Sequence, residues 1–154
     1  MALLRKSNSL PDQLSKGEKQ LVGICRALIT KPKLILAEEA LENLFSQNPD
    51  LLYLASHPVY DYLAKRYRLN LRSVVWEADQ PLTHNHLAQL ESILKHYPAS
   101  VMIWESEPLE ESKKHFSSLS IKSATFNPSS NKPESGDFME IMRENVNSLR
   151  AVIE

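Results

Sequence analysis

The chain has 154 residues, 42% hydrophobic and 24% charged, with a formal net charge of -1, which is about one domain's length and enough to bury a core without disulfides. The near-neutral charge argues against a nucleic-acid partner, which would call for a concentrated basic patch. The lone Cys25 excludes an internal disulfide or a multi-cysteine metal site, and no apolar run approaches the roughly 20 residues of a membrane span.

Near the start, Arg5 and Lys6 are followed by polar Ser7, Asn8 and Ser9. A signal peptide would have an apolar core there, so none is read and a cytoplasmic location is expected. Ser15-Lys16-Gly17-Glu18 has the capping-box pattern. Leu21, Ile24, Cys25, Leu28 and Ile29 then recur at helical spacing, and Lys31-Pro32 closes that helix. Leu34–Ala37 is a short continuous apolar run, as in a buried parallel strand. Glu38 to Asn48 reads as helix, with Leu41, Leu44 and Phe45 on one face, and Asn48-Pro49-Asp50 is a turn.

The alternation then becomes regular. Strands are expected at Leu51–Ala55, Arg72–Trp76, Val101–Trp104 and Ile121–Phe126. Between them lie helices opened by Pro58 (Val59, Tyr62, Leu63 and Tyr67 inward), capped by Thr83 (Leu87, Leu90, Ile93, Leu94) and opened by Pro108 (Leu109, Phe116, Leu119). A polar loop from Pro128 to Gly136 precedes a last helix capped by Asp137, with Phe138, Ile141, Met142, Val146, Leu149 and Val152 inward.

Strands alternating with helices predict βαβ units. The expected fold is α/β, a three-layer domain with a mostly parallel sheet of about five strands flanked by helices. A segment boundary falls at Asn48–Asp50, giving 1–48 and 49–154 as parts of one continuous unit. Ligands of an open parallel sheet bind beyond the carboxyl ends of its strands. Glu38, Glu39, His57, Glu77, Glu105 and Asn127 stand there. An imidazole among carboxylates suits a metal with nitrogen and oxygen ligands. Polar residues are equally expected wherever strands leave a core for water. His84 and His86, two apart on a helix, point about 200° from each other and read as surface residues, as do His96 and His115.

From Leu51 to Glu154 the chain resembles the C-terminal lobe of the solute-binding proteins of zinc and manganese ABC importers. The residues that carry the likeness are Ala55-Ser56-His57-Pro58-Val59-Tyr60-Asp61-Tyr62-Leu63-Ala64-Lys65-Arg66-Tyr67, Val75-Trp76-Glu77, Met102-Ile103-Trp104-Glu105-Ser106-Glu107-Pro108, Phe126-Asn127-Pro128 and Gly136-Asp137-Phe138-Met139 with Asn145-Val146. That family clamps one metal ion between two lobes outside the cytoplasmic membrane. The resemblance implies His57 as a ligand, and Asn127 stands where a carboxylate ligand is common. Glu105 is a further candidate. The family's other ligands come from a lobe that the resemblance does not reach, so weak metal binding or none is expected of the isolated monomer.

Residues 10–45 resemble the signature motif and Walker B strand of ABC-transporter ATPases, through Leu14-Ser15-Lys16-Gly17-Glu18-Lys19-Gln20, Arg26-Ala27-Leu28 and Pro32-Lys33-Leu34-Ile35-Leu36-Ala37-Glu38-Glu39. The resemblance implies nucleotide contacts at Ser15 and Gly17 and a catalytic carboxylate at Glu39. Lys16, Glu38 and Phe45 depart from the pattern, standing for a glycine and two aspartates. No G-x-x-x-x-G-K-[ST] loop occurs in the sequence to hold phosphates and place Mg²⁺, so ATP hydrolysis is not expected. The leading expectation is therefore a zinc- or manganese-binding component, or an incomplete remnant, of an ABC-type metal transport system, with other transporter subunits as partners. The alternatives are a ligand-free α/β interaction protein and a catalytically incomplete ATPase fragment.

Overall fold

The computed structural model describes residues 32–128 and 138–154. The chain divides into two compact units, Met1–Leu36 and Ala37–Glu154. The expected helix behind Ser15, the nucleotide candidates Ser15 and Gly17, and the Asp137 cap lie outside the described residues.

The described elements are α1 (Pro32–Ser46), β1 (Leu52–Ala55), a 3₁₀ turn (Pro58–Tyr60), α2 (Asp61–Tyr67), β2 (Asn70–Ser73), α3 (His84–Leu94), β3 (Val101–Trp104), α4 (Glu110–Ser118), β4 (Lys122–Thr125) and α5 (Phe138–Ile153). The four strands form one parallel sheet in the order β2-β1-β3-β4. All four residues of β3 are buried, as are the last three of β1, while β2 and β4 at the edges are more exposed. That pattern follows from position, since an inner strand is covered on both faces.

Successive side chains of a strand face opposite sides of the sheet, and each side has its own core. Tyr53, Ala55, Val101, Ile103 and Ala124 pack with Leu41, Leu44 and Phe45 of α1 and with Val146, Leu149 and Ile153 of α5. Leu54, Met102 and Trp104 pack on the other face with Leu90 of α3 and Phe116 of α4. The result is three layers, helix, sheet, helix, as expected from the alternation.

Three expectations need correction. Leu34–Ala37 lies inside α1, so the sheet has four strands among the described residues. Leu36 is 63% exposed, and the packed residues Ala37, Ala40, Leu41, Leu44 and Phe45 recur at three and four, a helical period. Pro32 opens this helix, a position where its missing N–H costs nothing. The second correction is that β2 spans Asn70–Ser73 and not Arg72–Trp76. The chain continues alongside β1, with the Val74 amide donating to the Ala55 carbonyl at 2.8 Å and the Trp76 amide to the Ser56 carbonyl at 3.0 Å.

The third concerns side-chain facing. Val59 and Tyr62 are exposed while Tyr60 is buried. The 3₁₀ turn has about three residues per turn, which shifts the helical phase so that Tyr60, Leu63 and Tyr67 face inward. Phe138 and Leu119 are also exposed. Ile121 takes the core place that Leu119 was expected to fill.

Candidate metal centre at the carboxyl edge of the sheet

The carboxyl edge is shaped by the loops leaving β1, β2 and β3. Leaving β1, Ser56 donates its amide to the Ile103 carbonyl at 2.9 Å. His57 is extended (φ -146°, ψ 156°), and Pro58 turns the chain at once into the 3₁₀ helix. The imidazole is thus held at the sheet rim, with 16% of its side chain exposed. The Trp76 to Ser56 hydrogen bond places Glu77 beside it, and Glu105 follows the last residue of β3. The Leu109 amide donates to the Ala78 carbonyl at 3.1 Å, joining the two carboxylate-bearing loops.

His57, Glu77 and Glu105 each present one ligand atom, and these atoms lie within 4.8 Å of one another. His57 Nε2 is 3.5 Å from Glu77 Oε1 and 3.6 Å from Glu105 Oε1, yet it is buried and has no hydrogen-bond partner. Glu77 is 49% exposed and Glu105 32%, so the cluster opens to solvent on the Glu77 side. A nitrogen lone pair and two carboxylate oxygens are a suitable donor set for a divalent cation. The same carboxylates would attract the cation electrostatically.

The floor of this edge is polar and fixed. The Tyr60 hydroxyl donates to the Phe126 carbonyl at 2.6 Å, tying the segment after His57 to the end of β4. Burial first, and then the Glu105 charge, push the Tyr60 hydroxyl well above its ordinary value, so it remains a donor. Asn145 of α5 clamps Asn127 by its backbone: the Asn127 amide donates to Asn145 Oδ1, and Asn145 Nδ2 donates to the Asn127 carbonyl, both at 2.8 Å.

The sequence-derived candidates fare differently. His57 and Glu105 come together, and Glu77, which the sequence placed on the same rim without ranking it as a ligand, joins them. Asn127 stands at the same edge after β4. Glu38 and Glu39 are on α1 and not at a strand end, and Glu38 Oε1 accepts from Arg66 Nη2 at 2.7 Å. His86 serves α3 instead: its Nδ1 accepts from the Thr83 amide at 3.3 Å and its own amide donates to Thr83 Oγ1 at 3.2 Å.

Comparison with known proteins supports both halves of the resemblance. The family described as "Zinc-uptake complex component A periplasmic" matches residues 29–152, and that described as "ABC transporter" matches residues 2–42. The chain is 49% identical over 53 residues to the lipoprotein-releasing system ATP-binding protein LolD 2 of Chlorobaculum tepidum, a stretch covering 34% of this chain and 22% of that protein. It is 60% identical over 40 residues to the methionine import ATP-binding protein MetN of Nocardia farcinica, covering 26% and 12%. Among solved structures, the Zn(II)-bound ZnuA-like domain of Streptococcus pneumoniae AdcA superposes with a TM-score of 0.68 at 19% identity, over 90% of this chain and 54% of that one. The metal-dependent lipoprotein YcdH of Bacillus subtilis does so with 0.69 at 17% identity, over 99% and 56%. The chain thus spans about half the length of these structural neighbours, which share its fold. With the family match running through all four strands, the chain belongs to the family of the periplasmic component A of zinc-uptake complexes.

Proposed function

We propose that this chain binds a divalent transition-metal ion, zinc foremost, as a component of an ABC-type metal transport system. The observation that carries this reading is the His57 Nε2 atom, buried and without a hydrogen-bond partner between two carboxylates. A buried polar atom without a partner is costly, and a bound cation would relieve that cost. Family membership and the Zn(II) in the AdcA neighbour support the choice of metal. For a given nitrogen and oxygen site zinc is also intrinsically favoured over manganese. Three protein ligands leave one position of the usual roughly tetrahedral set for water or for a group from elsewhere. His57, Glu77 and Glu105 are therefore proposed to hold the ion as cargo, with Asn127 beside them as a neutral and weaker oxygen donor.

Calorimetric titration with zinc and with manganese, on wild type and on His57→Ala, tests the proposal. Wild type should take up zinc more tightly than manganese, and His57→Ala should lose most of the zinc heat. Equal heats from the two proteins would remove the site.

A second reading draws on the ABC-transporter match over residues 2–42. In it, Ser15 and Gly17 contact a nucleotide held by another subunit, and Glu39 supplies a carboxylate. A fluorescent ATP analogue, offered to the chain alone and mixed with an intact transporter ATPase, decides it; silence in both mixtures rejects it.

A further inference from the structure

The donor atoms of the rim are spaced as an ion would need them. Bonds of roughly 2.0–2.1 Å at tetrahedral angles put two ligand atoms about 3.3 Å apart. His57 Nε2 stands 3.5 Å from Glu77 Oε1 and 3.6 Å from Glu105 Oε1. No hydrogen bond joins the imidazole nitrogen to either carboxylate, and the two carboxylates repel each other. The spacing is therefore imposed by whatever holds the loops that carry them.

The strands end before His57 and Glu105, so the ladder fixes the roots of these two loops and not the loops themselves. Both loops are tied instead to the end of β4, a strand that supplies none of the three clustered ligands. Tyr60, three residues past His57, is buried and donates its hydroxyl to the Phe126 carbonyl at 2.6 Å. Its ring meets that of Phe126 edge-on at 6.0 Å between centroids. Glu107, two residues past Glu105, accepts from Thr125 Oγ1 through Oε2 at 3.0 Å. Its Oε1 accepts from Lys113 Nζ, which also lies 2.8 Å from Glu110 Oε1. Both oxygens of Glu107 are thus engaged, and the side chain anchors the loop between β3 and α4.

The end of β4 is itself held from behind. The Thr125 amide donates to Ser148 Oγ at 2.8 Å, and Asn145 clamps the Asn127 backbone. Asn145 and Ser148, three apart on α5, share one face of that helix. An edge strand has a neighbour on one side only, and α5 supplies partners that a further strand would give.

We infer that the end of β4 is a brace that sets the spacing of His57 and Glu105, with Tyr60 and Thr125 as positioning residues for the ion. The inference rests on the metal reading and adds to it the residues that hold the ligand atoms in place. Partners that orient metal ligands are worth much of a site's affinity although they never touch the ion.

The test uses the full chain, zinc calorimetry, and the visible absorption of the Co(II)-loaded protein, whose band position and intensity report ligand geometry. Tyr60→Phe and Thr125→Val each remove one hydrogen bond and little volume. Each should weaken zinc binding several-fold, up to about tenfold, and change the Co(II) spectrum. Thr125→Ser keeps the hydroxyl and should restore both readouts to wild type. Tyr53→Phe alters a buried tyrosine of the same core, four residues before His57, and should change neither. Tyr60→Phe or Thr125→Val protein that binds zinc as tightly as wild type with an unaltered spectrum would overturn the brace, as would Thr125→Ser binding as weakly as Thr125→Val. If His57→Ala loses zinc in the same series, that result leaves the metal reading standing; a wild type that takes up neither metal removes both.

Discussion

His57 sits between two carboxylates that are close enough to share a cation with it, while neither accepts a hydrogen bond from its Nε2. The carboxylates should therefore matter to metal and little to folding. Glu77→Gln and Glu105→Gln are each expected to weaken zinc binding by about tenfold or more, given that even outer-shell partners of metal ligands are worth that much. Glu77→Gln should change stability by no more than about 0.5 kcal/mol, the usual range for an exposed position. Calorimetry and thermal melts on the same samples check both.

At the level of elements, the rim depends on how α5 holds β4. Asn145 is 3% exposed, and its amide satisfies both the N–H and the carbonyl of Asn127. Removing it takes away both of these hydrogen bonds. Asn145→Ala should therefore cost about 1–3 kcal/mol, read as a lower denaturant midpoint with an unchanged slope. If Asn127 helps to hold the ion, the same variant should weaken zinc binding through loss of its fixed backbone. A variant as stable as wild type would show that the clamp is dispensable. The elements themselves were largely legible. β1, β3, β4, α3 and α4 fall within a few residues of where hydrophobic period, Thr83 and Pro108 put them. The strand read at Leu34–Ala37 failed because a four-residue apolar run has no period of its own. Only the continuing stripe through Leu41, Leu44 and Phe45 shows that the run is the first turn of a helix.

On the scale of the whole molecule, the core on one face of the sheet buries two tyrosines whose hydroxyls must stay protonated. Tyr53 is pushed up to about 12 by burial and then by Tyr97, and Tyr60 is raised further by burial and then by Glu105. Each therefore holds its proton more tightly folded than unfolded, where the ordinary value is about 10. Their stabilising effect is complete below about pH 10 and is lost as pH rises through the folded values, by about 1.4 kcal/mol per pH unit for each tyrosine. Melting temperature measured from about pH 9 to 12 should drop steeply above 10. Tyr53→Phe should reduce that slope; an unchanged slope would place the alkaline loss elsewhere. No helix among the described residues is long and apolar enough to cross a membrane.

From Leu51 onward, the order of strands and helices, the parallel sheet, and the placing of His57, Glu77, Glu105 and Asn127 on one rim all follow from the sequence. Period and turn chemistry are local, and in a parallel sheet every strand ends on the same edge. The choice among those rim residues was not local. In the order β2-β1-β3-β4, the strand that ends in His57 lies between the strands leading to Glu77 and Glu105, while the one leading to Asn127 is a place further out. Strand order is set by which apolar faces pack together across long stretches of chain, and no window of residues contains that information. The sequence thus identified the imidazole and its rim, and the tertiary structure decided which carboxylates stand within reach of it.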